Sequence, residues 1–154
     1  MKYVMLLSAL FVTASANADG FRCMAIDRSI AATVYNHTNP NKGTRTAAIL
    51  VLSDPSIQRG NRTIATFKNA QGTLSSQGTV YNADVDLRYT EISRKGEYLL
   101  GTRLGELKTI SMIVDFDYNY PLFKGESVKA YLVAKKRNGK KAGVDMECVR
   151  YLKN

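Results

Sequence analysis

Hydrophobic and polar residues alternate along much of the chain after residue 19, and clusters of turn-forming residues interrupt the alternation. Segment 106–118 has the clearest pattern, because every second side chain from residue 110 onward is apolar. These apolar positions are Ile110, Met112, Val114, Phe116 and Tyr118. Successive side chains of a β-strand point to opposite faces, so a period of two predicts a strand with one core-facing side. The sequence has no window of sustained helical spacing, and we therefore expect an all-β domain.

Other segments predict further strands of the same kind. Segment 79–89 repeats the alternation, which predicts that Val85, Leu87 and Tyr89 face the core. Residues 46–52 are apolar at both odd and even positions, as in a strand that is covered on both faces. The stretches between strands, including 68–78, are rich in Asn, Pro and Gly, and we expect them to be loops. The remaining predicted strands are 20–26, 29–35, 62–68 and 97–101.

The last hairpin is predicted from the dipeptide Asn138-Gly139. Both residues tolerate positive φ, so the pair predicts a two-residue turn between two strands. That turn would place Tyr131 opposite Met146 and would point Cys148 into the same face as Met146. The predicted inner face of this hairpin consists of Tyr131, Val133, Val144, Met146 and Cys148.

About eight short strands with turns between them are typical of an antiparallel barrel or a β-sandwich. The chain has two cysteines, Cys23 and Cys148, which lie near opposite ends of the predicted domain. Two cysteines of an exported protein usually form a disulfide, and the Cα atoms of such a pair lie within about 7 Å. The bridge would therefore join the first and last strands. Those strands pair with each other in a closed up-and-down barrel, so the barrel is favoured and the sandwich is the alternative.

The first 18 residues have the features of an export signal. Lys2 precedes an apolar run over residues 3–12, and the small residues Ala16 and Ala18 flank Asn17 just before the expected cleavage site. The run is too short to be a comfortable transmembrane helix. We therefore expect residues 1–18 to be a cleaved signal peptide and residues 19–154 to form one domain. The expected mature protein is a monomer that is periplasmic or secreted.

Basic residues exceed acidic ones, with 22 Lys and Arg against 13 Asp and Glu and a net charge of +9. Such a charge favours anionic partners. The densest basic stretch lies at the predicted hairpin tip, where it could bind anions or simply keep the hairpin soluble. No aromatic residue that could stack on a nucleobase lies in this stretch, which argues against a nucleic-acid partner. The basic residues of the tip are Lys135, Lys136, Arg137, Lys140 and Lys141.

Two pairs of aspartates are the best candidates for enzymatic or metal chemistry. Asp84 and Asp86 share one strand face, and Asp115 and Asp117 share another. If the two strands were neighbours, four carboxylates could converge to bind Ca²⁺ or to form a general acid and base. No Gly-rich ligand loop accompanies the pairs, so the alternative is a solvated face balanced by Lys and Arg. We predict no cofactor.

Other catalytic arrangements have little support in the sequence. His37 is the only histidine, and no nucleophile elbow or zinc-binding motif is present. Cysteines committed to a disulfide cannot serve as nucleophiles. The alternating aromatic residues Phe116, Tyr118 and Tyr120 could line a pocket at the mouth of a barrel, or they could fill its core.

Four stretches resemble small exported proteins of predatory Gram-negative bacteria, a family with no assigned activity. The stretches are VYNHT at 34–38, GTRTAAILVLSDPS at 43–56, RKGEYLLGT at 94–102 and MECVRYLK at 146–153. The resemblance covers most of the mature chain, and it implies export and a small β domain. It carries over no functional residue.

Three hypotheses for function follow. The first is a non-enzymatic binding or inhibitor-type module with a basic surface, acting on another protein, an anionic surface or a small apolar ligand. The second is a carboxylate-based hydrolase or Ca²⁺-binding envelope protein, which requires the paired aspartates to meet in one cleft. The third is a structural or adhesive envelope component, which requires an exposed apolar patch or an unpaired strand edge.

Overall fold

The computed structural model describes residues 18–36, 43, 45–117 and 126–153, so the predicted signal peptide lies outside the described residues except for Ala18. Nine strands form in the described part of the chain, together with one short helix, α1, at Arg94–Leu99 and a 3₁₀ turn at Leu104–Glu106. The strands are β1 (Ala18–Ala25), β2 (Ala31–Asn36), β3 (Thr46–Ser53), β4 (Thr63–Ser75), β5 (Gly78–Asp84), β6 (Thr90–Ile92), β7 (Leu107–Val114), β8 (Val128–Lys136) and β9 (Lys141–Lys153).

Eight of these strands close into an antiparallel barrel. Their order is β3-β2-β1-β9-β8-β7-β5-β4, and the ring is completed because β3 also pairs with β4. The short strand β6 lies beside Ala65–Phe67 of β4, and β5 pairs with the same strand from Gln71 onward. The barrel prediction is therefore confirmed, and the sandwich alternative is wrong.

The disulfide joins the first and last strands, as predicted. Cys23 of β1 lies directly opposite Cys148 of β9, with their Cα atoms 3.9 Å apart. Both cysteines are buried inside the barrel. The bridge closes a loop of 125 residues, for which the chain-entropy model gives a stabilisation of about 5 kcal/mol.

The inside of the barrel is packed with side chains from opposite walls. Phe21 of β1 meets Tyr81 of β5 edge to face, with ring centroids 6.2 Å apart. These two strands are four positions apart in the ring, so the contact crosses the barrel. Gly72, opposite Tyr81, leaves room for this ring, because a Cβ there would lie 2.9 Å from it. The largest fully buried side chains are Tyr81, Phe21, Phe67, Ile30, Leu50, Leu52, Leu107, Ile110, Met112, Leu132, Met146 and Val34.

Strand β7 has the predicted faces, whereas β3 does not. In β7, Ile110, Met112 and Val114 are buried, and Phe116 is buried just beyond the end of the strand. Strand β3 coincides with the apolar segment 46–52, but only one of its faces is fully buried. The other face is half-buried or exposed, so this strand is not covered on both sides as predicted.

The predicted register of the last hairpin is wrong by one residue. Lys136 pairs with Lys140 through the bond from the Lys136 amide to the Lys140 carbonyl at 2.8 Å, which leaves a three-residue loop. Gly139 ends this loop at φ +85°, as in a three-residue hairpin loop that has glycine in the left-handed region. Tyr131 consequently lies opposite Asp145 and faces outward, while Leu132 takes the core position. Met146 and Cys148 are buried as predicted.

Three other local predictions are wrong. Segment 97–101 is not a strand, because α1 occupies most of it. Strand β5 ends at Asp84, so the alternation beyond it belongs to a turn, and Leu87 and Tyr89 are exposed. The predicted loop 68–78 lies mostly in β4, where Asn and Gly residues form part of the long strand.

Candidate functional site

One end of the barrel carries the connections that contain most of the irregular structure. In an antiparallel barrel, alternate connections lie at the same end. Four connections share the end at which β7 begins, and we call it the helix end because it includes α1. The connections of the helix end are residues 26–30, 54–62, 85–106 and 137–140.

Helix α1 packs directly against the beginning of β4, at Ile64. The Ser93 hydroxyl caps the helix by accepting a hydrogen bond from the Gly96 amide at 3.1 Å. The Ser93 amide donates to the Ile64 carbonyl at 2.8 Å. A Cβ at Gly96 would lie 2.4 Å from that same carbonyl oxygen, so only glycine allows the helix to lie this close to the strand.

An ion pair attaches α1 to the β3–β4 connection as well. The ammonium of Lys95 contacts Oδ2 of Asp54, whose side chain is buried. The other carboxylate oxygen of Asp54 accepts hydrogen bonds from the amide and hydroxyl of Ser56, at 2.9 and 2.6 Å. These interactions lower the pKa of Asp54 from 3.8 to about 2. The hydrogen bond from Lys95 has the largest effect, and the two from Ser56 have the next largest. The carboxylate is therefore charged at neutral pH and fixes α1 in place.

The hairpin tip is anchored to the segment that follows α1. The Arg137 amide donates to the Glu106 carbonyl at 2.8 Å, and Nε of Arg137 donates to the Gly105 carbonyl at 3.2 Å. The segment is itself fixed to α1, because the Glu97 carboxylate accepts the Leu104 amide at 2.8 Å. The tip and the helix consequently form one connected surface.

All five basic residues of the predicted anion-binding knob lie at or beside this tip. Lys135 and Lys136 are half-buried, whereas Arg137, Lys140 and Lys141 are exposed. Lys135 lies directly opposite Lys141, so two positive charges are neighbours across the hairpin. The ion pairs seen between described residues include Lys68–Glu91, Arg88–Asp86 and Lys95–Asp54. No basic residue of the tip forms an ion pair with another described residue.

The paired aspartates do not converge. Strands β5 and β7 are neighbours, but Asp84 lies opposite Thr109 and Thr79 lies opposite Val114, next to Asp115. The two pairs therefore lie at opposite ends of these strands, and Asp84 and Asp115 are about 20 Å apart along the strands at the usual rise per residue. Asp86 instead forms an ion pair with Arg88, at 2.7 Å, which lowers its pKa to about 2.

The described residues contain no group of three or more His, Cys, Asp and Glu side chains that could hold a metal ion. Asp84 lines a groove on the outer face of β4 and β5, whereas Asp115 and Asp117 line a different groove near Gly78. The four aspartates therefore do not form the single cleft that the hypothesis of a carboxylate-based hydrolase or Ca²⁺-binding protein requires of them.

Of the three aromatic residues predicted at the barrel mouth, Phe116 lies in the described part of the chain. Phe116 is buried and packs edge to face on Phe21, with ring centroids 5.3 Å apart. The guanidinium of Arg150 lies 4.9 Å from the centre of the Phe116 ring. Phe116 thus belongs to the core, and it also borders the groove that Asp115 and Asp117 line. Tyr118 and Tyr120 lie outside the described residues, as does His37.

The sequence did not predict the apolar side chains that the helix end exposes. Ile26, Leu87 and Tyr98 all point into solvent from its connections. Leu87 and Tyr98 were assigned to strands, because alternation and apolar content continue past Asp84 and through α1. A turn signal was present in Asp86, whose side chain accepts the Arg88 amide at 2.9 Å.

No protein-family model, curated protein or solved structure matches the chain. Within the described residues, none of the helical structure is long and apolar enough to cross a membrane. The candidate site therefore depends on the geometry and charge of the helix end alone.

Proposed function

We propose that the protein is an exported, non-enzymatic binding module that recognises an anionic partner through its helix end. The observation that carries this proposal is the anchored hairpin tip. Its five cations have no ion-pair partner among the described residues, and two backbone carbonyls, of Gly105 and Glu106, hold Arg137 in place. Charges on a fixed scaffold lose less conformational freedom on binding than charges on a mobile loop.

The packed interior supports an external binding surface. The contact between Phe21 and Tyr81 crosses the barrel, which leaves little room for a small apolar ligand at that level. Ring closure also pairs both edges of eight strands, which is unfavourable for an adhesive role by strand addition. Export and the resemblance to proteins of predatory bacteria remain predictions.

Retention on heparin provides the test of the proposed function. The tip variant Lys140→Ser/Lys141→Ser should elute at lower salt than the wild type, because fewer counterions are released on binding. A matched control, Arg45→Ser/Lys129→Ser, removes the same charge from exposed positions outside the tip and should elute later than the tip variant. Equal elution of the two variants, or a wild type that passes through at low salt, would contradict the proposal.

A further inference from the structure

The most exposed large apolar side chains of the described residues all lie in connections of the helix end. Tyr98 is 83% exposed, Leu87 is 73% exposed and Ile26 is 63% exposed. The other large apolar side chains that reach solvent are only 39–45% exposed, and apart from Tyr89 they lie on strands. None of the three side chains belongs to the hydrophobic core or packs against it, so they do not stabilise the fold by being buried.

Each of the three side chains is presented by an ordered connection. The Ile26 amide donates to the Asp145 carbonyl at 3.0 Å, which fixes the start of the β1–β2 turn. Leu87 lies between Asp86 and Arg88, whose ion pair closes the turn beneath it. Tyr98 projects from α1, which Gly96 and Lys95 hold against the barrel, as described above. These contacts hold each of the three apolar groups at a defined position on the surface of the helix end.

Cations accompany each apolar side chain. Arg28 follows Ile26 in the same turn, and Arg88, which also pairs with Asp86, is the immediate neighbour of Leu87. Arg94 precedes Tyr98 by one helical turn, and Arg103 lines the same surface groove as Tyr98. Asp27, Asp86 and Glu97 also adjoin the three apolar side chains, so the excess of positive charge at this end comes mainly from the five cations of the anchored tip. Apolar and aromatic groups interspersed with Lys and Arg are the composition of protein surfaces that bind anionic membranes.

From this arrangement we infer that the helix end docks on the surface of an anionic phospholipid bilayer. Ile26, Leu87 and Tyr98 enter the boundary between headgroups and acyl chains, and the cations contact the phosphates. The three apolar groups protrude from separate connections and form no continuous groove, which suits a fluid and deformable surface better than a preformed protein pocket. This inference rests on the proposed function, because it names the anionic partner of the same end.

Sedimentation with lipid vesicles tests the inference. The probes are vesicles of phosphatidylcholine alone and vesicles containing equal parts of phosphatidylcholine and phosphatidylglycerol. The mature wild type should bind only the anionic vesicles, and binding should fall as salt is raised. The variant Ile26→Ser/Leu87→Ser/Tyr98→Ser should bind at least about tenfold more weakly, because binding strength scales with the apolar area buried.

A matched control removes the same number of apolar side chains from the strands. The variant Met24→Ser/Tyr35→Ser/Val149→Ser should bind within about twofold of the wild type, because these residues do not lie in the connections of the helix end. Circular dichroism establishes that both variants remain folded. If one variant is unfolded, a second experiment replaces it, in which a fluorescent probe is attached to the variant Leu87→Cys and the vesicles carry a lipid-bound quencher. Absence of quenching overturns the inference.

The outcomes separate this inference from the proposed function. Tip-dependent retention on heparin without vesicle binding would overturn the bilayer as partner and leave an anionic polymer or protein as the partner. Equal binding to neutral and anionic vesicles would overturn the role of the charges. Equal weakening by the two triple variants would overturn insertion of the three named side chains.

Discussion

Phe21 and Tyr81 meet across the barrel from opposite walls, and Gly72 provides the space in which the Tyr81 ring lies. The Phe21 ring also contacts Phe116, which extends the aromatic packing toward the end opposite the helix end. This packing makes the interior a core, and it leaves the outside of the barrel as the surface for binding.

Replacing Phe21 with Ala should lower the free energy of unfolding by about 3–5 kcal/mol, because a fully buried aromatic side chain leaves a cavity. Urea denaturation followed by circular dichroism measures the change. The control is Tyr35→Ala, which truncates an exposed aromatic side chain on the neighbouring strand and should cost much less. Similar losses in the two variants would contradict a packed interior at Phe21.

The disulfide should account for a large part of the stability. The variant Cys23→Ala/Cys148→Ala should lose roughly 2–5 kcal/mol, because the unfolded chain regains the freedom that the bridge removes. Alanine avoids burying the unpaired hydroxyls that serine would introduce. Mass spectrometry of the native protein after alkylation without reductant should detect no modified cysteine. Two alkylated thiols would contradict the structure.

Adding a methyl group at Gly96 should move α1 away from β4. The Cβ would overlap the Ile64 carbonyl, so Gly96→Ala should destabilise the protein by about 1–3 kcal/mol despite the better helix propensity of alanine. Gly105→Ala is the matched control, because a Cβ there meets nothing within 4 Å, and it should change stability by less than about 0.5 kcal/mol. Chemical shifts of α1 amides should move in the first variant only. Unchanged α1 shifts in Gly96→Ala would contradict the close packing.

Acid should weaken the attachment of α1 through Asp54. Its pKa is about 2 in the folded protein and 3.8 as an ordinary value, so the unfolded chain takes up the proton first. The stabilising contribution is complete above about pH 4 and is lost as the pH falls toward 2. Asp86, paired with Arg88, adds a contribution over the same range. Stability should therefore decline from pH 4 to pH 2.

The variant Asp54→Asn should show a smaller decline over this pH range than the wild type. Asp145→Asn, at an exposed position on β9, controls for the loss of one negative charge. Carbon-13 NMR of the Asp54 carboxyl group gives a direct measurement, with an expected midpoint near pH 2. A midpoint near 4 would show that Lys95 and Ser56 do not stabilise the charged form.

The architecture could be predicted because two independent signals agreed. Alternation in segments such as 106–118 indicated strands, and the positions of Cys23 and Cys148 indicated that the first and last strands are neighbours. The hairpin register could not be predicted, because Asn138-Gly139 is compatible with both a two-residue and a three-residue loop. The difference of one residue exchanged Tyr131 for Leu132 in the core.

The candidate site was predicted only in part. The basic tip is visible in the sequence as a run of charges, but its anchorage through Gly105 and Glu106 depends on contacts between distant segments. The exposure of Leu87 was missed, because a two-residue period continues beyond the end of β5 without marking where pairing stops. The exposure of Tyr98 was missed, because residues 97–101 were interpreted as a strand and form part of α1 instead. A run of charges can be read directly from a short stretch of sequence. The residue at which a strand ends depends instead on where its pairing with neighbouring strands stops.

The first residues of β1 and the last residues of β9 run side by side, with Ala18 opposite Lys153. Both lie at the end of the barrel opposite α1 and the hairpin tip. A tether attached next to Ala18 or Lys153 would therefore hold the barrel upright, with the cationic and apolar connections directed away from the support. Immobilisation at either position would leave the helix end open to a partner in solution.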